Sequence, residues 1–424
     1  MTEIAFVVPG RLDQLTGGYL FDRRIVEGLR ARGRAVRVIE LSAQADSAPL
    51  AALAEETKTV VDGLALADHA ELILAQARRL RMVAFVVPGR LDQLTGGYLF
   101  DRRIVEGLRA RGRAVRVIEL SPHADGAQLA ALAGETKTVV DGLALPDHAE
   151  AMVAQARRLR LVAFVHGPLA QETGLSPAAA KRAAELEAAL LSRVRGVLCP
   201  SRRTAAAIEN YGISPERIAV VAPGTAKPTR RPGPRRSPVR ALLCVANLVP
   251  RKGHELLVEA LARIRDLDWS LTCVGSLERD PATVRAVRRR IRTAGLGRRT
   301  TLAGELPPHS VARAYRAADA FVLPSFHEGY GMVYAEAMVH GLPVIATTAG
   351  AIPETVTPQA GLLVPPGDPA ALARAVRRVI AQPTLAAQLA MGSRATGARL
   401  PDWPHATETW ERAFDRLAAL DPPR

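Results

Sequence analysis

One stretch, AFVVPGRLDQLTGGYLFDRRIVEGLRARGRAVRVIELS, occurs twice without a change, at residues 5–42 and again at 84–121. The likeness continues with scattered substitutions through ETKTVVDGLAL and AQARRLR, at a constant offset of 79 residues. That period is too long, and the copy number too low, for a solenoid. The repeat reads as one tandem duplication of a domain fragment. Each copy holds an apolar strand (AFVVP), a glycine loop (TGG), a helix (YLFDRRIVEGLRAR), a strand (AVRVIEL), a short helix, a strand (TVVDGLAL) and a helix ending in AQARRLR. Strands and helices in alternation belong to a parallel α/β sheet.

The second copy runs directly into LVAFVHGPL, a strand ending at His166. A helical stretch, GVLCPS, a helix from Arg202 and IAVVAPG follow, which completes one Rossmann-like domain. Short connections favour the second copy as the builder of that sheet, with the first copy left as an extra β/α fragment. A Pro/Arg-rich segment then leads into a second series of strands: RALLCVANL, WSLTCVGS, TTLAGEL, AFVLPS and PVIAT, with helices between. The expected division is a duplicated fragment at 1–80, a Rossmann-like domain at 81–226, a linker at 227–239, a second Rossmann-like domain at 240–400 and a closing helix at 401–424. The fold class is therefore α/β, with two Rossmann-like domains facing across a cleft at the carboxyl ends of their sheets.

Bulk properties narrow the function. The chain has no run of eighteen apolar residues, so no transmembrane helix is expected, and MTEIAFVVPG lacks the marks of a signal peptide. Cys199, Cys244 and Cys273 lie in apolar strand-like runs whose spacing suits neither zinc nor a disulfide framework. Buried free thiols in a reducing cytoplasm are expected. The net charge of +15 is carried chiefly by Arg, which clusters in RRPGPRR (230–236) and VRAVRRRIRTAGLGRR (284–299). Neither cluster is interleaved with aromatic residues, as a single-strand nucleic-acid track would be. These are read as solvated faces, with contact to a membrane surface or acidic ligand left open and nucleic acid set aside.

The richest chemistry lies in HEGYGMVYAEAMVHGLPV, residues 327–344. Glu328 falls in a strand-to-helix loop after ADAFVLPS, and Glu336 falls inside the helix that follows Gly331. Eight residues of continuous helix span roughly 12 Å, wider than the acid/base pairs of glycosidases. Two glutamates that far apart suit the two ends of one long ligand. Gly329 and Gly331 let backbone approach closely, and the helix start offers free N–H groups to an anion. A diphosphate between two hydroxyl-rich rings fits this layout.

At these residues the sequence resembles the retaining family 4 glycosyltransferases of the GT-B fold, whose signature pairs two glutamates eight residues apart. The resemblance covers about Val83 to Leu420. It implies that Glu328 meets the transferred sugar and Glu336 the nucleotide ribose, with Gly329, Gly331 and Met332 at the donor. LVPRKGHELLVEA resembles the family's donor-phosphate segment, which implies a diphosphate contact for Lys252 with Arg251 beside it; Asn247 stands where the family commonly has an arginine. FVHGP resembles the strand that ends in the family's active-site histidine, here His166. LTGG resembles its N-terminal glycine loop, Gly96 and Gly97, repeated as Gly17 and Gly18.

The activity implied is transfer of a hexose from a nucleotide diphosphate sugar to a carbohydrate or lipid-linked acceptor, with retention, no metal and no other cofactor. The place implied is the cytoplasm, with peripheral contact at the inner face of the membrane open. Two rivals stay open: a sugar-nucleotide epimerase of the same fold, and a non-catalytic sugar-nucleotide binder inactivated by the duplication.

Overall fold

The computed structural model describes residues 4–9, 17–41, 58–61, 82–121, 126–228 and 238–423. The Arg cluster at 230–236, most of the expected linker and the helix expected at the end of the first copy lie outside them. Two compact units are present: Met1–Ala84 with Arg109–Arg116, and Phe85–Leu108 with Val117–Arg424.

In the first unit, β1 (Ile4–Pro9), α1 (Gly17–Ala31), β2 (Val36–Leu41) and β3 (Lys58–Val61) give a three-stranded sheet of order β2-β1-β3. Both pairings are parallel. Phe6, Val8 and Val26 form its small core, with Val36 and Val38 packed against it.

The chain continues with β4 (Val83–Pro88), α2 (Gly96–Ala110), β5 (Val115–Leu120), α3 (Ala127–Ala130), β6 (Lys137–Asp141), α4 (Ala149–Gln155), β7 (Arg160–Phe164), α5 (Pro177–Leu191), β8 (Gly196–Cys199), α6 (Arg202–Glu209) and β9 (Ile218–Val220). These strands form a six-stranded sheet of order β5-β4-β6-β7-β8-β9. Apolar runs such as the fully buried Leu161–Phe164 explain why these strands take helices on both faces.

A second six-stranded sheet follows. Its elements are β10 (Ala241–Val245), α7 (His254–Ala262), β11 (Ser270–Val274), α8 (Pro281–Thr293), β12 (Thr300–Leu302), α9 (Pro308–Ala317), β13 (Ala320–Leu323), α10 (Met332–Val339), β14 (Val344–Thr347), α11 (Ile352–Thr355) and β15 (Gly361–Val364). After them come α12 (Pro369–Ala381), α13 (Pro383–Arg399) and α14 (Trp403–Ala418). The order β12-β11-β10-β13-β14-β15 is the doubly wound pattern, and every pairing in it is parallel. Its direction of winding reverses between β10 and β13, and ligands of such sheets bind outside the carboxyl ends at that point.

Two expectations are adjusted. Gly96 and Gly97 are not in a loop but are the first two residues of α2, because the Thr95 hydroxyl and carbonyl accept from the Tyr98 and Leu99 amides and start the helix early. The strand read as TVVDGLAL stops at Asp141, whose carboxylate accepts from the Leu143 amide at 2.7 Å and turns the chain.

The closing helix packs on the earlier sheet. Its apolar stripe, Ala406, Trp410, Phe414 and Leu417, recurs at helical spacing and is buried. Trp410 is fully buried, stacked on Phe414 with centroids 5.0 Å apart and edge-on to Phe164 at 6.0 Å. Truncating a core tryptophan of this kind costs about 3–5 kcal/mol, so α14 ties the chain's end to the sheet that carries His166.

Candidate active site

The loops after β10 and β13 flank the reversal point of the second sheet. After β10 a single 3₁₀ turn, Pro250–Lys252, brings Arg251 and Lys252 forward. After β13 the chain runs through Ser325 and Glu328 to Gly331, which caps α10 with φ at 85°, a left-handed conformation that side chains resist. Lys252 Nζ lies 2.6 Å from Glu328 Oε1, and Ser325 Oγ donates to the same oxygen at 2.7 Å. Arg251 Nη1 is 3.4 Å from Glu328 Oε2 and donates to the His327 carbonyl at 2.7 Å.

Glu328 is 6 % exposed. Burial alone would push its carboxyl up, but the Lys252 and Arg251 cations, with hydrogen bonds from Lys252 and Ser325, hold it below the usual range. Burial lowers Lys252, and Glu328 opposes that shift. The group is therefore an ion pair at the opening of a helix N-terminus, where anions are favoured. Glu336 sits one helical turn in. Its Oε2 accepts from the Tyr315 hydroxyl at 2.8 Å, and burial raises its carboxyl.

The facing loops carry a different chemistry. His166 follows β7, Asp141 ends β6, and Asp101 lies in α2. His166 Nε2 is 3.0 Å from Asp101 Oδ1 and 3.9 Å from Asp141 Oδ2. Both carboxyls are fully buried. Burial pushes Asp101 up to about 7. Burial, then the neighbouring Asp101, pushes Asp141 well above its ordinary value. Burial holds His166 below the usual imidazole range against the pull of Asp141. Gly97 lies on the ring: a Cβ there would stand 3.2 Å from His166 Cδ2. Gly96 has open space around it.

The two sets of loops meet. A Cβ on Gly329 would stand 1.8 Å from the His166 carbonyl oxygen, so only glycine permits this approach. Asn247 bridges as well, accepting from the Ser276 amide at 2.9 Å and donating to the Leu94 carbonyl at 3.1 Å. Glu172 Oε1 reaches Arg251 Nε at 3.4 Å. Glu354 accepts from the amides of Arg202 and Arg203, at 3.0 and 2.6 Å, at the start of α6. Glu328, Lys252, Arg251, Gly329 and His166 are thus brought to one place. Gly331 and Met332 open the helix beside them, and Glu336 lies deeper, on Tyr315.

Sequence reasoning missed Asp101 and Asp141. Asp101 stood in the open: α2 buries Tyr98, Asp101, Ile104, Val105 and Leu108, so an acid occupies its apolar stripe. It also missed Ser325 and Tyr315, which carry no signal until the fold places them. The cysteine spacing hid a further grouping. Cys244 and Cys273 are register partners on β10 and β11, and Cys244 Sγ is 3.6 Å from His254 Nε2. Among the described residues two sets hold donor atoms within 4.8 Å of one another, Cys244/His254/Cys273 and Asp101/Asp141/His166. All three cysteines are buried free thiols. No helix among the described residues is long and apolar enough to cross a membrane.

Comparison with known proteins follows the same lines. The family described as glycosyl transferases group 1 matches residues 239–382, and that described as glycosyltransferase family 4 matches residues 139–226. A D-inositol 3-phosphate glycosyltransferase of Corynebacterium diphtheriae is 28% identical over 50% of this chain and 54% of its own length. D-inositol 3-phosphate glycosyltransferase 1 of Catenulispora acidiphila is 30% identical over 64% of this chain and 68% of its own. The chain spans about half the length of the first curated relatives it matches. HepE of Anabaena, solved with UDP and glucose, superposes with a TM-score of 0.64 at 19% identity, covering 78% of this chain and 99% of that one. Sucrose-phosphate synthase of Thermosynechococcus elongatus superposes with a TM-score of 0.60 at 22% identity, covering 99% and 100%. These structural likenesses carry the two-sheet fold, the sequence matches carry the ancestry, and the chain belongs to the group 1, family 4 glycosyltransferases of the GT-B fold.

Proposed function

We propose that this chain transfers a hexose from a nucleotide diphosphate sugar to a hydroxyl of a carbohydrate or lipid-linked acceptor, with retained anomeric configuration. The observation that carries the reading is the group at the N-terminus of α10 in which the half-buried Lys252 and Arg251 face the buried Glu328. An ammonium has three donors, so Lys252 can keep Glu328 and still take a phosphate oxygen. With Arg251 and the amides that open α10 at Met332, it would stabilise the diphosphate leaving group as the glycosidic bond breaks. Glu328 would hold the transferred sugar, Glu336 the ribose, and His166 with Gly97 the far side of the sugar. The acceptor would attack from the leaving-group face, which needs no protein nucleophile. The reading calls for no metal or other cofactor and no nucleic-acid partner; peripheral membrane contact would serve a lipid-linked acceptor, through the exposed arginines of α8.

The test is turnover of UDP-, GDP- and ADP-linked hexoses by the full chain, with and without acceptors. Inositol 3-phosphate belongs in that set, because relatives are named for it. One donor should be consumed only with acceptor, and the product's anomeric coupling should match the donor's. Consumption without acceptor would favour the epimerase, and binding without consumption would favour the inactive binder.

A further inference from the structure

Two fully buried acids meet at His166, and among the described residues no Lys or Arg forms an ion pair with either. Each has one oxygen occupied: Asp101 Oδ1 faces His166 Nε2, and Asp141 Oδ1 takes the Leu143 amide. Asp101 Oδ2 and Asp141 Oδ2 are buried with no hydrogen-bond partner in protein. Two carboxylates with oxygens within 4.8 Å of each other in an apolar place resist joint ionisation, and one proton shared by the pair would relieve both orphan oxygens. Among the described residues the surroundings supply no cation to neutralise them. Phe164 and Phe100 lie against the imidazole, with centroids at 4.4 and 5.8 Å. The Tyr98 hydroxyl, close enough to feel both acids, donates to the Pro88 carbonyl. His327, on the β13 loop near Gly167, is pushed below the usual imidazole range by burial and by Arg251.

We propose that Asp101 is a positioning residue for the transfer: sharing one proton with Asp141, it accepts the Nε2–H of His166 and fixes a neutral ring whose Nδ1 is left as the acceptor for a substrate hydroxyl. This rests on the sugar-side role proposed for His166. The pair acts as a neutral-ring holder. A fully ionised pair would pull a second proton onto the imidazole and convert Nδ1 from acceptor to donor. An asparagine at position 101 reproduces the protonated acid. Its oxygen can accept from Nε2–H and its amide can donate to Asp141.

The experiment has two readouts on the full chain carrying ¹⁵N-labelled histidine. Ring-nitrogen spectra, with His166→Gln used for assignment, are recorded for wild type, Asp101→Asn and Asp101→Ala. Wild type and Asp101→Asn should show the neutral Nε2–H form of His166 from about pH 6 to about pH 8, and Asp101→Ala a mixture of tautomers. In parallel, turnover of whichever nucleotide sugar the wild type consumes should stay within about threefold in Asp101→Asn and fall about tenfold or more in Asp101→Ala. Should Asp101→Ala fail to fold, Asp101→Asn carries the test.

A charged or Nδ1–H ring in the wild type overturns the proposal, as does an asparagine variant as impaired as the alanine one. Activity abolished by a chelator and restored by Mg²⁺ or Mn²⁺ also overturns it, since a cation would then fill the pair. The expected spectra with no sugar turned over by wild type would uphold the arrangement and sink the transferase reading alone.

Discussion

Two buried carboxyl sites face each other across one cleft, and their surroundings shift them in opposite directions. Glu328 is ionised because the preceding loop of its own sheet delivers Lys252 and Arg251 to within 2.6 and 3.4 Å. Asp101 is also buried, but its neighbour at the end of β6 is a second acid, and burial carries its carboxyl up to about 7. Both sides are buried. The group that the adjacent loop brings decides whether charge or proton wins. The difference suits a reaction in which one side meets a diphosphate and the other meets neutral hydroxyls.

The comparison breaks most visibly at Glu328. Glu328→Gln removes a carboxylate that two cations face, leaving the half-buried Lys252 without its nearest counter-charge. Transfer is expected to fall by about 100-fold or more, and stability by about 3 kcal/mol, the cost of stranding one partner of a buried pair. Nucleoside diphosphate binding should survive, because the lysine remains. Steady-state turnover and denaturant unfolding of the variant check this, and wild-type turnover would remove Glu328 from the mechanism.

A second prediction sharpens the contrast through pH. Glu328 has a folded value below its unfolded one, so its stabilisation is present at neutral pH and is lost as pH falls through the folded value. Asp101 has a folded value raised to about 7 from 3.8, so its contribution is present below 3.8 and is lost as pH rises through about 7. Unfolding free energies across this range should show Glu328→Gln flattening the acid limb and Asp101→Asn removing the decline between 3.8 and about 7. Identical pH profiles for the two variants would mean that the two sites are not in different states.

Much of this was legible in the sequence, and the reasons are physical. Strand–helix alternation and the apolar runs declared two parallel sheets. Glu328 and Lys252 stand beside glycines at strand-to-helix turns, where chemistry is ordinarily placed, so the cation side could be found. The acid side could not. Asp101 lies in a helix and Asp141 at a strand end, 40 residues apart, and only the order β4-β6-β7 brings them to His166. The pairing of Cys244 with Cys273 was hidden for the same reason, since strand register sets it. The packing of α14 on the earlier sheet is likewise a tertiary fact: an amphipathic stripe says that a helix is covered, not by what.

A smaller effect is expected at Asn247, which spans the two sides without charge. Asn247→Ala removes the bond to the Leu94 carbonyl and the acceptor for the Ser276 amide, worth about 1 kcal/mol together. The Michaelis constant for the donor should rise a few-fold with turnover nearly unchanged. A large loss of turnover would instead place Asn247 among the groups that meet the reacting atoms.

The most direct test of the account is calorimetric titration of the full chain with UDP, GDP and ADP, repeated on Lys252→Ala. One of the three should bind the wild type, and the substitution should weaken that binding by more than about 1.5 kcal/mol, the scale of a charge-assisted hydrogen bond. Equal affinity of variant and wild type, or no binding of any of the three to the wild type, would contradict a diphosphate site at Lys252.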